Sequence, residues 1–139
     1  MGQLETGIRD ALLAQAGITN LVGRRIRPLV VGQGDSPRPY LTYQVTGRTT
    51  EALLDGTVID YRKAEWEIGI YADTYGAVMD LSDLVRDRLD QLGETVSGVE
   101  FAPAQFDSET DVEQVTPDGQ EKPVYLRVQT YRALYKIVS

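Results

Sequence analysis

The 139-residue chain has no cysteine and no histidine, and these two absences exclude more functions than any residue present suggests. Without cysteine there is no disulfide framework and no thiolate nucleophile or ligand. Without histidine as well, the usual zinc ligand sets and every Ser-His or Cys-His mechanism fall away. No apolar run approaches the roughly 18 residues that a membrane helix needs. The opening MGQLETGIRD has neither the basic n-region nor the apolar h-region of an export signal, so none is expected. A phosphate loop is missing too: Gly32-Gln33-Gly34 is followed by neither Lys-Ser/Thr nor a helix-opening glycine, and it reads as a turn.

The residues that are present describe one folded domain spanning 1–139. Hydrophobic residues make up 42% and charged residues 25%, enough apolar side chain for a single core in a chain of this length. The net charge of −7 divides unevenly. Residues 1–48 hold six arginines against three acids, whereas residues 49–139 hold eight basic residues against eighteen acids. Phosphate binding needs a contiguous basic patch, so free nucleic acid is a poor ligand for most of this surface. The opposed halves are compatible with head-to-tail contact between identical subunits, and equally with simple scatter of charge.

Periodicity gives the elements. Residues 4–16 place Leu4, Ile8, Ala11, Leu12 and Ala16 on one helical stripe, with Gly17 as the stop and a short second turn over 18–22. Residues 25–31 read as a short strand interrupted by Pro28, and the Gly and Pro cluster after it as a loop. Residues 40–48 alternate Leu41, Tyr43 and Val45 against Thr42 and Gln44, a half-buried strand. After the loop at LLDG, residues 58–71 alternate Trp66, Ile68 and Ile70 with Glu65, Glu67 and Gly69, a longer strand antiparallel to its predecessor, with Trp66 in the core. A helix capped by Asp73 or Thr74 spans 75–92 and ends at Gly93, its stripe running through Val78, Leu81, Leu84 and Val85 and its outer face carrying Asp80, Asp83, Arg86, Asp87 and Asp90. Two strands, 99–112 and 124–138, flank the turn TPDGQEKP. The expected fold is α+β: an antiparallel sheet of four to five strands with two helices packed on one face.

Three groups of residues are candidates for function. Asp107, Glu109, Asp111 and Glu113 are spaced by two, which puts four carboxylates on one face of a strand and Phe106, Thr110 and Val112 on the other, buried face. If the hairpin pairs Asp111 with Arg127, then Val112 meets Leu126 and Thr110 meets Val128. A calcium loop starting at Asp107 would need Gly and Glu where Val112 and Asp118 stand, and a glycosidase pair would need an aromatic cleft. The remaining readings are an acidic wall facing a channel through which DNA passes, and an ordinary solvated strand face. Arg24, Arg25, Arg27 and Arg38 form the second group, a guanidinium cluster suited to a subunit or partner contact, or a solvated loop. The third is a face of the last strand where Tyr125, Tyr131 and Tyr135 accompany Arg127 and Gln129, opposite Val124, Leu126 and Val128. Exposed Tyr and Arg on a sheet suit an interface, and a second small core is the alternative.

The order of these elements resembles a known family. The first helix, ITNLVGRRIRP, PRPYLTYQV and LLDGTVIDYRKAEWEIGIYADTYGAVMDLSDLVRDRL together are similar to the tail-completion (tail-terminator) proteins of siphophages and related prophages. The residues that carry the resemblance are Gly23, Arg25, Pro39, Tyr40, Leu54 with Gly56, Tyr71, Ala72 and Leu84. It covers residues 4–92 well and the last hairpin loosely. The resemblance implies a structural subunit, not an enzyme, with no cofactor and no metal. It further implies a homo-oligomeric ring, typically a hexamer, that caps the tail tube, stops its polymerisation and offers a surface to the head. The implied partners are the major tail tube protein and the head connector or stopper protein, with DNA only as cargo and no membrane. The place would be the head-tail junction of the virion tail, assembled in the bacterial host cytoplasm. Two alternatives stand beside it: another head-tail joining subunit (head-completion or stopper), and a non-phage α+β ligand- or nucleic-acid-binding module.

Overall fold

The strand around Trp66 is the spine of the molecule. The computed structural model describes residues 2–29, 38–52, 58–115 and 124–138. Within them the elements are α1 (Gln3–Leu13), α2 (Ala16–Val22), β1 (Ile26–Pro28), β2 (Tyr40–Ala52), β3 (Val58–Ala72), α3 (Tyr75–Leu89), β4 (Thr95–Val96), β5 (Val99–Phe101), β6 (Gln105–Val115) and β7 (Val124–Ile137). β3 pairs antiparallel with β2 on one side and with β7 on the other, and the sheet order is β1-β2-β3-β7-β5-β4, with β6 also on β7. The turns read at LLDG and TPDGQEKP, the Gly and Pro loop, and Leu54 with Gly56 lie outside the described residues.

The α+β class holds, but four to five strands and two helices is too few: the described residues form seven strands and three helices. Each difference has a local cause. Gly17 does not stop the first helix. The chain leaves helical geometry earlier, at Gln15 (φ −92°, ψ 111°), and Gly17 sits inside α2. A side chain at Gly17 would press on Leu84 of α3, its Cβ 3.1 Å from Leu84 Cδ2, so the glycine serves close helix packing. The strand expected over 99–112 is split at Pro103, which has no N–H to give to a ladder. Ala102 N–H bonds Leu134 O and Ala104 N–H bonds Leu92 O instead. β5 and β6 then share one edge of β7, β5 meeting its end at Tyr135 to Ile137 and β6 the stretch from Val124 to Arg132. β1 runs parallel to β2, so the sheet is not wholly antiparallel. Pro28 lies on this edge strand, the place in a sheet where a missing donor does no harm.

Helix α3 starts where its cap predicts: Thr74 Oγ1 accepts from Ala77 N–H at 3.2 Å. It ends at Leu89, short of Gly93, because Asp90 is extended and Gln91 takes a left-handed φ of 64°. Leu92 nonetheless remains buried. Asp90 is not a free surface acid, since its Oδ1 accepts from Phe106 N–H at 3.1 Å and ties α3 to β6.

All three helices cover one face of the sheet. Leu41 and Tyr43 of β2, Trp66, Ile68 and Ile70 of β3, and Tyr131, Ala133 and Tyr135 of β7 join Ile8, Leu12, Leu81 and Val85 in one core. Trp66 is fully buried and stacks on Tyr131 with ring centroids 6.1 Å apart, while Phe101 meets it edge-on. Its Nε1 finds no acceptor among the described residues, so packing alone holds the indole. Trp66→Ala should therefore cost about 3–5 kcal/mol, the range for large buried aromatics. Urea unfolding would show a lowered midpoint, and an unchanged midpoint and slope would place Trp66 outside the core.

Candidate assembly surfaces

The acidic row and the last strand form a hairpin in the register the sequence suggested: Asp111 faces Arg127, Val112 faces Leu126 and Thr110 faces Val128. The polarity is the reverse of the expectation. Residues Gln129, Tyr131, Ala133 and Tyr135 turn inward under the helices and are buried, while Thr110 and Val112 lie exposed on the other face. Tyr131 and Tyr135 are thus core residues and not interface residues. Tyr125, on the same side, is half-buried near Tyr75, with ring centroids 6.3 Å apart. The parity of the four carboxylates also breaks. A bulge between Phe106 and Ser108 inserts Asp107 as an extra residue, so Phe106 packs edge-on against Tyr131 on the helix side, the side that Glu109 and Asp111 also take. Asp107 leans instead toward Arg132, at 3.9 Å. The side chain of Glu113 lies outside the described residues.

Glu109 and Asp111 do not form a free acidic wall, because Arg127 gathers them. Its Nε lies 2.6 Å from Asp111 Oδ1 and its Nη1 3.5 Å from Glu109 Oε2. Its Nη2 donates to the Tyr75 hydroxyl at 2.9 Å, and that hydroxyl donates to Asp111 Oδ2 at 3.0 Å. Beneath this, the buried Gln129 donates to Ser82 O and to Glu109 Oε1, and its Oε1 accepts from Tyr131 O–H at 2.7 Å. The network is a clasp between the start of α3 and the β6–β7 hairpin. The Arg127 hydrogen bond holds the Asp111 carboxyl below the usual carboxylate range, with burial working against it, and the same bond raises the Arg127 guanidinium. Burial raises the Tyr131 phenol well above its ordinary value, so it acts here as a fixed donor.

The four arginines are engaged differently. Arg25 folds back on its own backbone, donating to Pro39 O at 3.1 Å and Leu21 O at 3.4 Å. Arg38 pairs with Asp73 at 2.5 Å. Arg27, aligned with Thr42, points to the sheet face away from the helices, whereas Arg24 is exposed and makes no ion pair among the described residues. Residues that bear resemblance to the tail family have structural jobs: Gly23 closes α2 with a left-handed φ of 61°, and Tyr40 stacks on Tyr71 at 4.5 Å. Sequence reasoning placed Gln129 beside Arg127 but missed Tyr75 and Ser82 as members of the clasp. Their spacing looks like any helix, and only the tertiary fold brings them to the hairpin.

Among the described residues no group of three or more His, Cys, Asp or Glu is placed to hold a metal ion, and no helix is long and apolar enough to cross a membrane. What these surfaces offer is contact: exposed charge, exposed apolar side chains and a sheet face without helices among the described residues. A family model described as Tail completion protein gp17 matches residues 6–136. No curated protein sequence matches the chain. Among solved structures, a chain in the virion of a native gene transfer agent particle is similar in fold, with a TM-score of 0.71 at 15% identity, covering 96% of this chain and 95% of that one.

The clasp predicts a pH dependence. The folded-state pKa of Asp111 is lowered from 3.8, so its stabilisation is complete above about pH 5 and is lost as pH falls through and below the ordinary carboxylate value. The carboxylate is 48% exposed, which limits the effect to about 1 kcal/mol. Asp111→Asn should therefore be less stable than wild type by about that amount near pH 6, with the difference shrinking as pH falls below the ordinary carboxylate range. Urea midpoints across this range check it; a constant difference at every pH would remove Asp111 as the titrating partner.

Proposed function

The chain belongs to the tail completion protein gp17 family, and from that premise we propose that it forms a ring that caps the tail tube, stops its polymerisation and provides the surface for joining to the head. The family is one of phage tail structural proteins, not enzymes. The observation that carries the proposal is the match itself, which spans residues 6–136 and therefore nearly the whole fold. That a chain of similar fold is part of a gene transfer agent virion fits a place in a particle for this one.

The physical form of the subunit supports the same reading. A closed ring needs two different patches on each chain, since a heterologous contact joins unlike surfaces. Among the described residues this chain presents a helix layer on one side of the sheet and a face without helices on the other, with excess positive charge in residues 1–48 and excess negative charge in the rest of the sequence. The predominantly acidic remainder repels phosphate, as suits a ring through which DNA passes as cargo without sticking. In this proposal the ring is a hexamer at the head-tail junction, its neighbours the major tail tube protein and the head connector or stopper.

Deleting the gene from a phage or prophage that encodes it tests this directly. The expected particles are tails of irregular, excess length. Tails of normal length attached to heads would contradict the proposal. Tails of normal length that stay unattached would point instead to a subunit of the head side of the junction.

A further inference from the structure

The face of the sheet away from the helices changes character in rows that cross the strands. Registered neighbours Val112, Leu126, Tyr71 and Tyr40 form an apolar row at the end where α3 begins. The next row is small: Thr110, Val128, Gly69 and Thr42. After it come Ser108, Thr130, Glu67 and Gln44, and then Arg132 and Glu65. Successive rows are about 7 Å apart, so the small row is a groove between an apolar wall and a polar, acidic one. Gly69 lies at its floor, partly overlain by Thr42 Oγ1 and the Tyr71 ring edge, which would stand 2.5 Å and 3.0 Å from a Cβ there, so the open space is the dimple beside them. The dimple above Gly69 measures about 40 Å³, bounded by Leu29, Tyr71 and Val128 on one hand and Glu67 and Gln44 on the other. It is far smaller than the several hundred Å³ of a metabolite pocket and suits one inserted side chain. Leu29 is 47% and Val112 40% exposed at its margins. Glu65 and Glu67 make no ion pair among the described residues.

A matching knob lies elsewhere on the same chain. At the end of α2, Leu21 is 44% exposed. Three residues on, Arg24 is the arginine of the expected cluster that stays exposed with no ion pair among the described residues. α2 packs on α1 and α3, on the helix side of the sheet, so this knob does not reach the groove of its own chain. We propose that the groove floored by Gly69 receives the Leu21–Arg24 corner of a second copy of this chain, Leu21 entering between Tyr71 and Val128 and Arg24 meeting Glu65 and Glu67. This inference rests on the ring reading and names its contact. Because knob and groove lie on opposite sides of the subunit, the contact is heterologous and can close into a ring. The apolar insertion supplies the binding and the Arg–Glu pairing the register and orientation. It also accounts for the half-buried apolar Leu126 and Val128 standing where no helix of the described residues covers them.

The native absence of cysteine makes disulfide trapping a clean test. In the full chain, Leu21→Cys with Val128→Cys should give, on mild oxidation, a ladder of covalent oligomers ending at a single largest species, while either single variant gives no more than a dimer. Separately, Arg24→Glu and Glu67→Arg should each weaken self-association about tenfold, read by sedentimentation of the purified protein at high concentration, and the double variant should recover most of it. Thermal unfolding of each variant checks that the monomer is intact. If wild type forms rings, yet the cysteine pair does not link and neither charge reversal weakens assembly, this contact is wrong and the ring reading survives. If wild type shows no oligomer in solution and no ring on tails, the ring reading fails and the contact with it.

Discussion

The pairing of Trp66 on β3 with Tyr131 on β7 is the contact that orients the rest of the molecule. Side chains alternate along a strand, so fixing Tyr131 on the helix side fixes every neighbour on β7, sending Gln129, Ala133 and Tyr135 inward and Leu126, Val128 and Thr130 outward. β7 then carries two edges' worth of structure, with β3 along one side and β5 and β6 in succession along the other. Where α3 passes over the strand, the inward positions are aromatic or small apart from Gln129, which bonds Ser82 O of that helix. Near the start of α3, where the helix cover ends, they become Arg127 and Tyr125, and the clasp with Tyr75, Glu109 and Asp111 takes over from apolar packing.

That transition explains why one part of the hairpin was legible in the sequence and another was not. The register at Asp111 and Arg127 follows from opposite charges and from matching apolar partners one position away, and it is the observed register. The choice of buried face fails because β7 changes its pattern midway. Its first half reads apolar at Val124, Leu126 and Val128, and its second half at Tyr131, Ala133 and Tyr135, on the opposite face. A strand that stays under helices keeps one apolar face. This strand emerges from under them, and its outward face turns apolar there. The same limit hides the bulge at Asp107, which no local residue announces, and which moves Phe106 to the side of Glu109 and Asp111.

Helices and the spine were easier to read, since their signals are local. Thr74 as a cap, Trp66 as core and the β2–β3 pairing all need only neighbouring residues. Nearness in sequence does not show how differently the four arginines are engaged. Arg25 and Arg38 are spent on Pro39, Leu21 and Asp73 within the chain. The charges left for a partner, Arg24 on the helix side and Glu65 and Glu67 on the sheet face, stood out in no motif. Glu65 and Glu67 are simply the alternate positions to Trp66 and Ile68, and such positions matter only once it is clear that no helix covers them.

The tail-cap reading turns on where the protein sits and in what symmetry. Cryo-electron microscopy of finished tails carrying the chain tests both at once. The account predicts one closed ring of six copies at the head-proximal end of the tube, sheet face of each subunit against the helix side of the next. Density repeated along the tube, or no copy at that end, would contradict it.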